Sequence, residues 1–100
     1  MNSELKIRQA IAEDVPQIFA LIQALAVYEK LTHQVTGTIA DLQEHLFGER
    51  IYAEAIIAQL GTEVVGFALF FPNYSTFLTK PGIYLEDLFV LPDKSASQVE

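Results

Sequence analysis

The chain predicts an α/β layer on a largely antiparallel sheet, in the order strand, helix, helix, strand, strand, strand. Three observations carry that reading. Apolar residues recur at three- and four-residue steps in two early stretches, residues 15–26 and 39–47. From residue 52 onward the chain turns β-rich, with Gly and Pro between its apolar runs. The length is 100 residues at 51% hydrophobic content, enough for one domain with a core.

Each element has its own signal. Leu5-Lys6-Ile7-Arg8 alternates apolar and charged residues, the period of a half-buried strand. Val15, Ile18, Phe19, Ile22, Leu25 and Ala26 then share one helix face. Glu13 and Asp14 fall in its first turn, where carboxylates favour the macrodipole and where Pro16 is tolerated. Ile11 and Ala12 offer no capping side chain. Residues 29–37 lose periodicity and read as a loop. Thr38 caps a second, short helix with Asp41 three residues on, Ile39, Leu42, Leu46 and Phe47 form its buried side, and Gly48 stops it. Residues 52–60 form a strand, Gly61-Thr62-Glu63 a tight turn, and Val64 to Phe71 the return strand. Both faces of that return strand are apolar, so the hairpin is expected at the centre of the sheet. Pro72-Asn73-Tyr74-Ser75 is expected to break it, and Lys80-Pro81-Gly82 to turn the chain into a last strand from Ile83 to Leu91. Pro92 onward is a polar tail. There are no repeats and no low-complexity segments.

Composition narrows the function. Six Lys+Arg stand against thirteen Asp+Glu, a formal charge of −7, which argues against a nucleic-acid backbone as partner and suits a cationic small molecule. Cysteine is absent, which excludes disulfides, thiol nucleophiles and Cys-based zinc sites. His33 and His45 stand twelve residues apart without local ligand partners, so no metal is expected. No membrane span is expected either, since the longest apolar run, Val64 to Phe71, is far short of the roughly 20 residues one needs. The opening Met1-Asn2-Ser3-Glu4-Leu5-Lys6 lacks signal-peptide architecture, and a cytoplasmic location is the expectation. There is no glycine-rich phosphate loop and no nucleophile elbow. The aromatic group Phe70, Phe71, Tyr74 and Phe77 reads as packing, because a base-stacking platform would have cations beside it.

The informative segment is Tyr84-Leu85-Glu86-Asp87-Leu88-Phe89-Val90. Two adjacent carboxylates interrupt an apolar strand, and successive side chains face opposite sides of a sheet. One of Glu86 and Asp87 is therefore expected near a buried face, where it needs a partner or a raised pKa. The structural alternative turns both to solvent or pairs one with Arg8. Tyr28-Glu29, directly after the apolar helix, reads on its own as a helix end whose tyrosine packs on the core.

Ile7-Arg8-Gln9-Ala10, Asp14, the run from Leu21 to Glu29, Asp41-Leu42, Phe47-Gly48-Glu49, Val65-Gly66-Phe67-Ala68 and Tyr84 to Val90 together resemble the GNAT acetyltransferases. Within that superfamily the likeness is to the spermidine/spermine (diamine) N-acetyltransferase-like group, over residues 5 to 93 with register kept. The resemblance implies acetyl transfer from acetyl-CoA to a primary amine by direct attack on the thioester. It implies Tyr28, Glu29, Glu86 and Asp87 as contacts to a cationic amine, with Glu86 accepting its proton. It further implies that Leu88, Phe89 and Val90 present backbone N–H groups to the cofactor.

The chain departs from the pattern after residue 93. The family continues with an Arg- and Gly-rich loop that grips the pyrophosphate, whereas here Lys94-Ser95-Ala96-Ser97-Gln98-Val99-Glu100 follows. Residues 1–93 are accordingly read as the N-terminal part of a GNAT domain without its C-terminal half, and 94–100 as a divergent polar tail. A truncated, inactive chain that associates as a homodimer through its exposed last strand is expected. The alternatives are a non-catalytic module acting by amine binding or association, and a relative for another amine such as an amino acid or aminoglycoside.

Overall fold

The computed structural model describes residues 4–92; the predicted tail at 94–100 lies outside them. Strand β1 (Leu5–Gln9) leads through a 3-10 turn at Ala12–Asp14 into helix α1 (Val15–Tyr28). A second 3-10 turn at Thr32–Gln34 precedes helix α2 (Ile39–Phe47). Strands β2 (Glu54–Leu60), β3 (Glu63–Ser75) and β4 (Lys80–Val90) complete an antiparallel sheet in the order β1-β2-β3-β4. The β2–β3 hairpin is central, as its two apolar faces require.

Both helices lie on one side of the sheet. Ile18 and Leu21 of α1 and Leu46 of α2 form one buried cluster with Ala55, Ile57, Phe67 and Phe89 from three strands. Val15, Ile18, Ile57 and Val65 are the largest fully buried side chains, each contributing roughly 1.5–3 kcal/mol by burial. Thr38 caps α2 as expected, its Oγ1 accepting from the Asp41 N–H at 3.1 Å. Gly48 leaves the helix with an extended backbone, and only glycine fits there, since a Cβ would collide with the Glu44 carbonyl oxygen. The buried side of α2 is narrower than its periodicity suggests, since Leu46 is enclosed while Ile39 and Phe47 stay partly exposed.

Three expectations need correction. The alternation in β1 is real, but Ile7 is 62% exposed, because its side of the sheet carries no helix among the described residues. The side facing α1 carries Arg8 instead. Its guanidinium donates to both carboxylate oxygens of Asp14, at 2.8 and 2.9 Å, and its Nε to Gln59. Asp14 is only 6% exposed and also accepts the Ile11 N–H. Arg8 is thus committed to Asp14, not to Glu86 or Asp87, and Asp14 is an anchor between β1 and α1 more than a macrodipole carboxylate.

The other two corrections concern proline. Pro72 does not break β3, and Lys80-Pro81-Gly82 is strand, with the turn falling at residues 76–79. The Leu91 N–H donates to the Val65 carbonyl, so alternation from that pair directs the N–H groups of β3 residues 67, 69, 71 and 73 toward β4. Position 72 points the opposite way, where β2 has already ended at the Glu54↔Phe70 pair. Pro81 pairs with Tyr74 at a position of the same kind, facing the outer edge. Neither proline removes a ladder hydrogen bond. The hairpin therefore continues past the rest of the sheet and carries Tyr74 and the 99% exposed Phe77 out into solvent, contrary to the packing role expected of them.

Candidate functional site

The β4 strand settles how two neighbouring carboxylates are accommodated. Leu69 pairs with Asp87 and Phe70 with Leu85, leaving Glu86 as an extra residue in β4. Such a bulge interrupts the alternation of faces and re-aims the side chains beside it. Asp87 shares the helix side with its partner Leu69 and is half-buried, whereas Glu86 is exposed. Without the bulge Leu85 would share that side; with it, Tyr84 takes the place and its ring meets Phe71 at 5.2 Å.

Helix α1 delivers the remaining two residues. It ends in a Schellman arrangement: Leu31 N–H to Ala26 carbonyl at 2.8 Å, and Lys30 N–H to Val27 carbonyl at 3.1 Å. That motif requires a left-handed residue after the cap, and Lys30 occupies it at φ 62° where glycine is usual. Tyr28 and Glu29, the last residues before that reversal, lie beside β4, and Tyr28 is 69% exposed, not packed into the core as its place at a helix end suggested. The Tyr28 ring lies 6.2 Å from that of Phe89.

Burial pushes the Asp87 carboxyl above its ordinary pKa, and the charges of Glu86 and Glu29 push it the same way. The helix end adds the negative pole of its macrodipole. Two chain segments far apart in sequence thus concentrate negative potential at one place, bordered by the rings of Tyr28, Phe89, Phe71 and Tyr84. A compact cation on an apolar stem matches that environment.

The three residues after the bulge are not equivalent. Alternation from the Leu91–Val65 hydrogen bond assigns the Phe89 N–H to the ladder with Phe67, and the Phe89 ring is buried in the core. The N–H groups of Leu88 and Val90 point to the outer edge of β4, which no described strand covers. Of these three, Leu88 and Val90 can present backbone donors there and Phe89 cannot.

His33 and His45 do not enter this site. The His45 ring packs edge-on against Tyr52 at 5.2 Å, with the Arg50 guanidinium 5.2 Å from the Tyr52 ring centre. Among the described residues no group of three His, Cys, Asp or Glu side chains could hold a metal ion. Among them also, no helix is long and apolar enough to cross a membrane.

No protein-family model matches the chain. It is 36% identical over 95 residues to mouse (Mus musculus) thialysine N-epsilon-acetyltransferase, covering 87% of this chain and 55% of that protein. It is 35% identical over 92 residues to human (Homo sapiens) spermidine/spermine N(1)-acetyltransferase-like protein 1, covering 85% of this chain and 13% of that one. A soil-metagenome aminoglycoside acetyltransferase, solved with sisomicin, superposes at a TM-score of 0.71 with 21% identity, over 94% of this chain and 60% of that one. The chain carries part of a GNAT N-acetyltransferase fold, of the spermidine/spermine-like group. It spans about half the length of the thialysine acetyltransferase it matches. Within the GNAT part, the bulge and the left-handed helix end were not foreseen. The Phe71–Tyr84 pair was missed because Pro72 reads as a break; its signal is the non-bonded position that both hairpin prolines occupy.

Proposed function

We propose that this chain forms the amine-binding and acyl-positioning part of an acetyl-CoA-dependent N-acetyltransferase acting on a small polyamine-like amine. The observation that carries this reading is the convergence of Glu29, Glu86 and Asp87 beside the outward N–H groups of β4. A primary amine with a pKa near 10 arrives as an ammonium, and three carboxylates at the end of α1 attract it electrostatically. Tyr28 and the Phe71–Tyr84 pair line its methylene stem.

Acetyl-CoA, when bound, supplies the thioester whose carbonyl carbon takes the amine. The outer edge of β4 fits it, since Leu88 and Val90 present donors at alternate positions, as an extended amide-bearing ligand requires. One such N–H placed at the thioester oxygen stabilises the charge that develops there. The ammonium must lose a proton before its lone pair can attack, and Glu86, exposed at the bulge, accepts that proton through water. The new C–N bond forms as the C–S bond breaks, and the coenzyme leaves as thiol.

The decisive test separates binding from turnover. Titration of spermidine into the chain should give saturable binding that weakens at least tenfold in Glu86→Gln/Asp87→Asn. Unchanged binding in that double variant, with folding intact, would remove the carboxylates from the site.

A further inference from the structure

The end of α1 carries a charge that attraction of an ammonium does not use. Lys30 is exposed, directly follows Glu29 and holds a left-handed backbone at φ 62°. Its N–H donates to the Val27 carbonyl and the next N–H, of Leu31, to the Ala26 carbonyl, so the backbone on either side is fixed. Lysine disfavours that conformation by an amount on the order of 1 kcal/mol, which glycine avoids. Attraction to the helix macrodipole does not account for it. A cation in the last helical turn would gain the same attraction on a relaxed backbone, yet that turn of α1 has no basic residue. A lysine kept in a strained position beside a candidate site points to function.

Lys30 does not serve to neutralise the acids. It makes no ion pair with Glu29, and the charges that act on Asp87 are those of Glu86 and Glu29. Consecutive side chains at a helix end diverge, which keeps the two signs apart. The other cations among the described residues are elsewhere. Arg8 is held by Asp14, and Arg50 lies over the Tyr52 ring. Lys6 sits on the far edge strand and Lys80 at the tip of the β3–β4 hairpin. The corner is therefore bipolar, with three carboxylates on one side and one cation at their border. A substrate bearing only ammonium groups is repelled by that cation, whereas one whose stem ends in a carboxylate gains from it.

We propose that Lys30 is a specificity-determining residue that binds a carboxylate at the far end of the amine substrate, so that the site prefers a diamino acid to the diamine of the same length. This rests on the reading of Glu29, Glu86 and Asp87 as the amine site. The ammonium of Lys30 rides on a flexible four-carbon stem and can follow stems of different length, while its fixed backbone keeps it at the border of the acids.

The test titrates L-lysine and cadaverine, which differ only by the carboxylate, into the 100-residue chain and reads both affinities by calorimetry. The parent should bind lysine more tightly. Lys30→Met, which removes the charge and keeps the stem, should weaken lysine by roughly fivefold, the scale of a partly screened ion pair, and tighten cadaverine as the repulsion goes. Lys30→Gly, which also relaxes the backbone, should do the same, and Lys30→Arg should restore the parent's order. A merely structural role would move both ligands in one direction. Equal changes for the two ligands in Lys30→Met would overturn the proposal, as would a parent that prefers cadaverine; either leaves the amine site standing. A parent that binds neither compound would overturn the amine reading as well, which separates the two failures.

Discussion

Removing the Asp14 carboxylate should unfold this chain under conditions where the parent is stable. Asp14 is 6% exposed and takes two hydrogen bonds from Arg8 and one from the Ile11 N–H, tying β1 to the start of α1. Breaking a fully buried ion pair costs about 3–5 kcal/mol. A third of the Arg8 side chain is exposed and can rehydrate, which favours the lower end. The orphaned Ile11 amide resembles a lost helix cap, worth about 1 kcal/mol. Asp14→Ala should therefore lose about 3–4 kcal/mol, and Asp14→Asn, which keeps an acceptor for Ile11, about 2 kcal/mol. With a urea slope of roughly 1–1.5 kcal/mol/M, the alanine midpoint should fall by about 3 M. The pH dependence adds a second readout. Arg8 holds the folded-state Asp14 pKa below the usual range, so its contribution is complete above about pH 4 and fades as pH falls through the folded value. The parent should lose stability in that acid window more steeply than Asp14→Asn. Two variants within 0.5 kcal/mol of the parent, or identical acid slopes, would mean that the pair is ornamental and β1 is held by its ladder alone.

Lys30→Gly should stabilise the chain by about 0.5–1 kcal/mol in urea melts, since glycine takes the left-handed position without strain and gives back part of that gain through a more flexible unfolded chain. Asp87→Asn should raise neutral-pH stability by about 0.5 kcal/mol, the scale of a partly screened charge contact. Burial raises the folded pKa of Asp87, so the benefit should disappear as pH drops into the range where the native carboxyl is already protonated. In a fusion to the unmatched segment of the mouse relative, Glu86→Gln should lower kcat/KM for a diamine more than tenfold, about 1.4 kcal/mol, with the melting curve unchanged.

What could be read from the sequence divides along physical lines. Helices, the Thr38 cap and the central hairpin were legible because periodicity and capping act within a few residues. The Arg8–Asp14 anchor was not, since an alternating strand says nothing about which face will meet a helix. Pro72 misled for a related reason: whether a proline breaks a strand depends on which neighbour is present at that register, a property of three strands together. The anomaly at Glu86-Asp87 was visible as chemistry, but its resolution was not. Local alternation demands that one carboxylate face the core side, and only the inserted residue opposite the Leu69–Phe70 step shows which one and how the other escapes.

The candidate site is made from two departures from local preference. A lysine holds a left-handed position at the end of α1, and an extra residue interrupts β4 opposite it. The left-handed lysine disfavours the isolated helix end by an amount on the order of 1 kcal/mol. Without the bulge Leu85, not Tyr84, would take the helix side next to Asp87. The same reasoning explains why Asp87 sits where burial and two like charges oppose its ionisation. A folding optimum would pair or neutralise that carboxylate, as it does Asp14. An unpaired, half-buried acid beside a helix C-terminus is relieved either by taking up a proton or by a nearby cation, and the proposed amine would supply that cation.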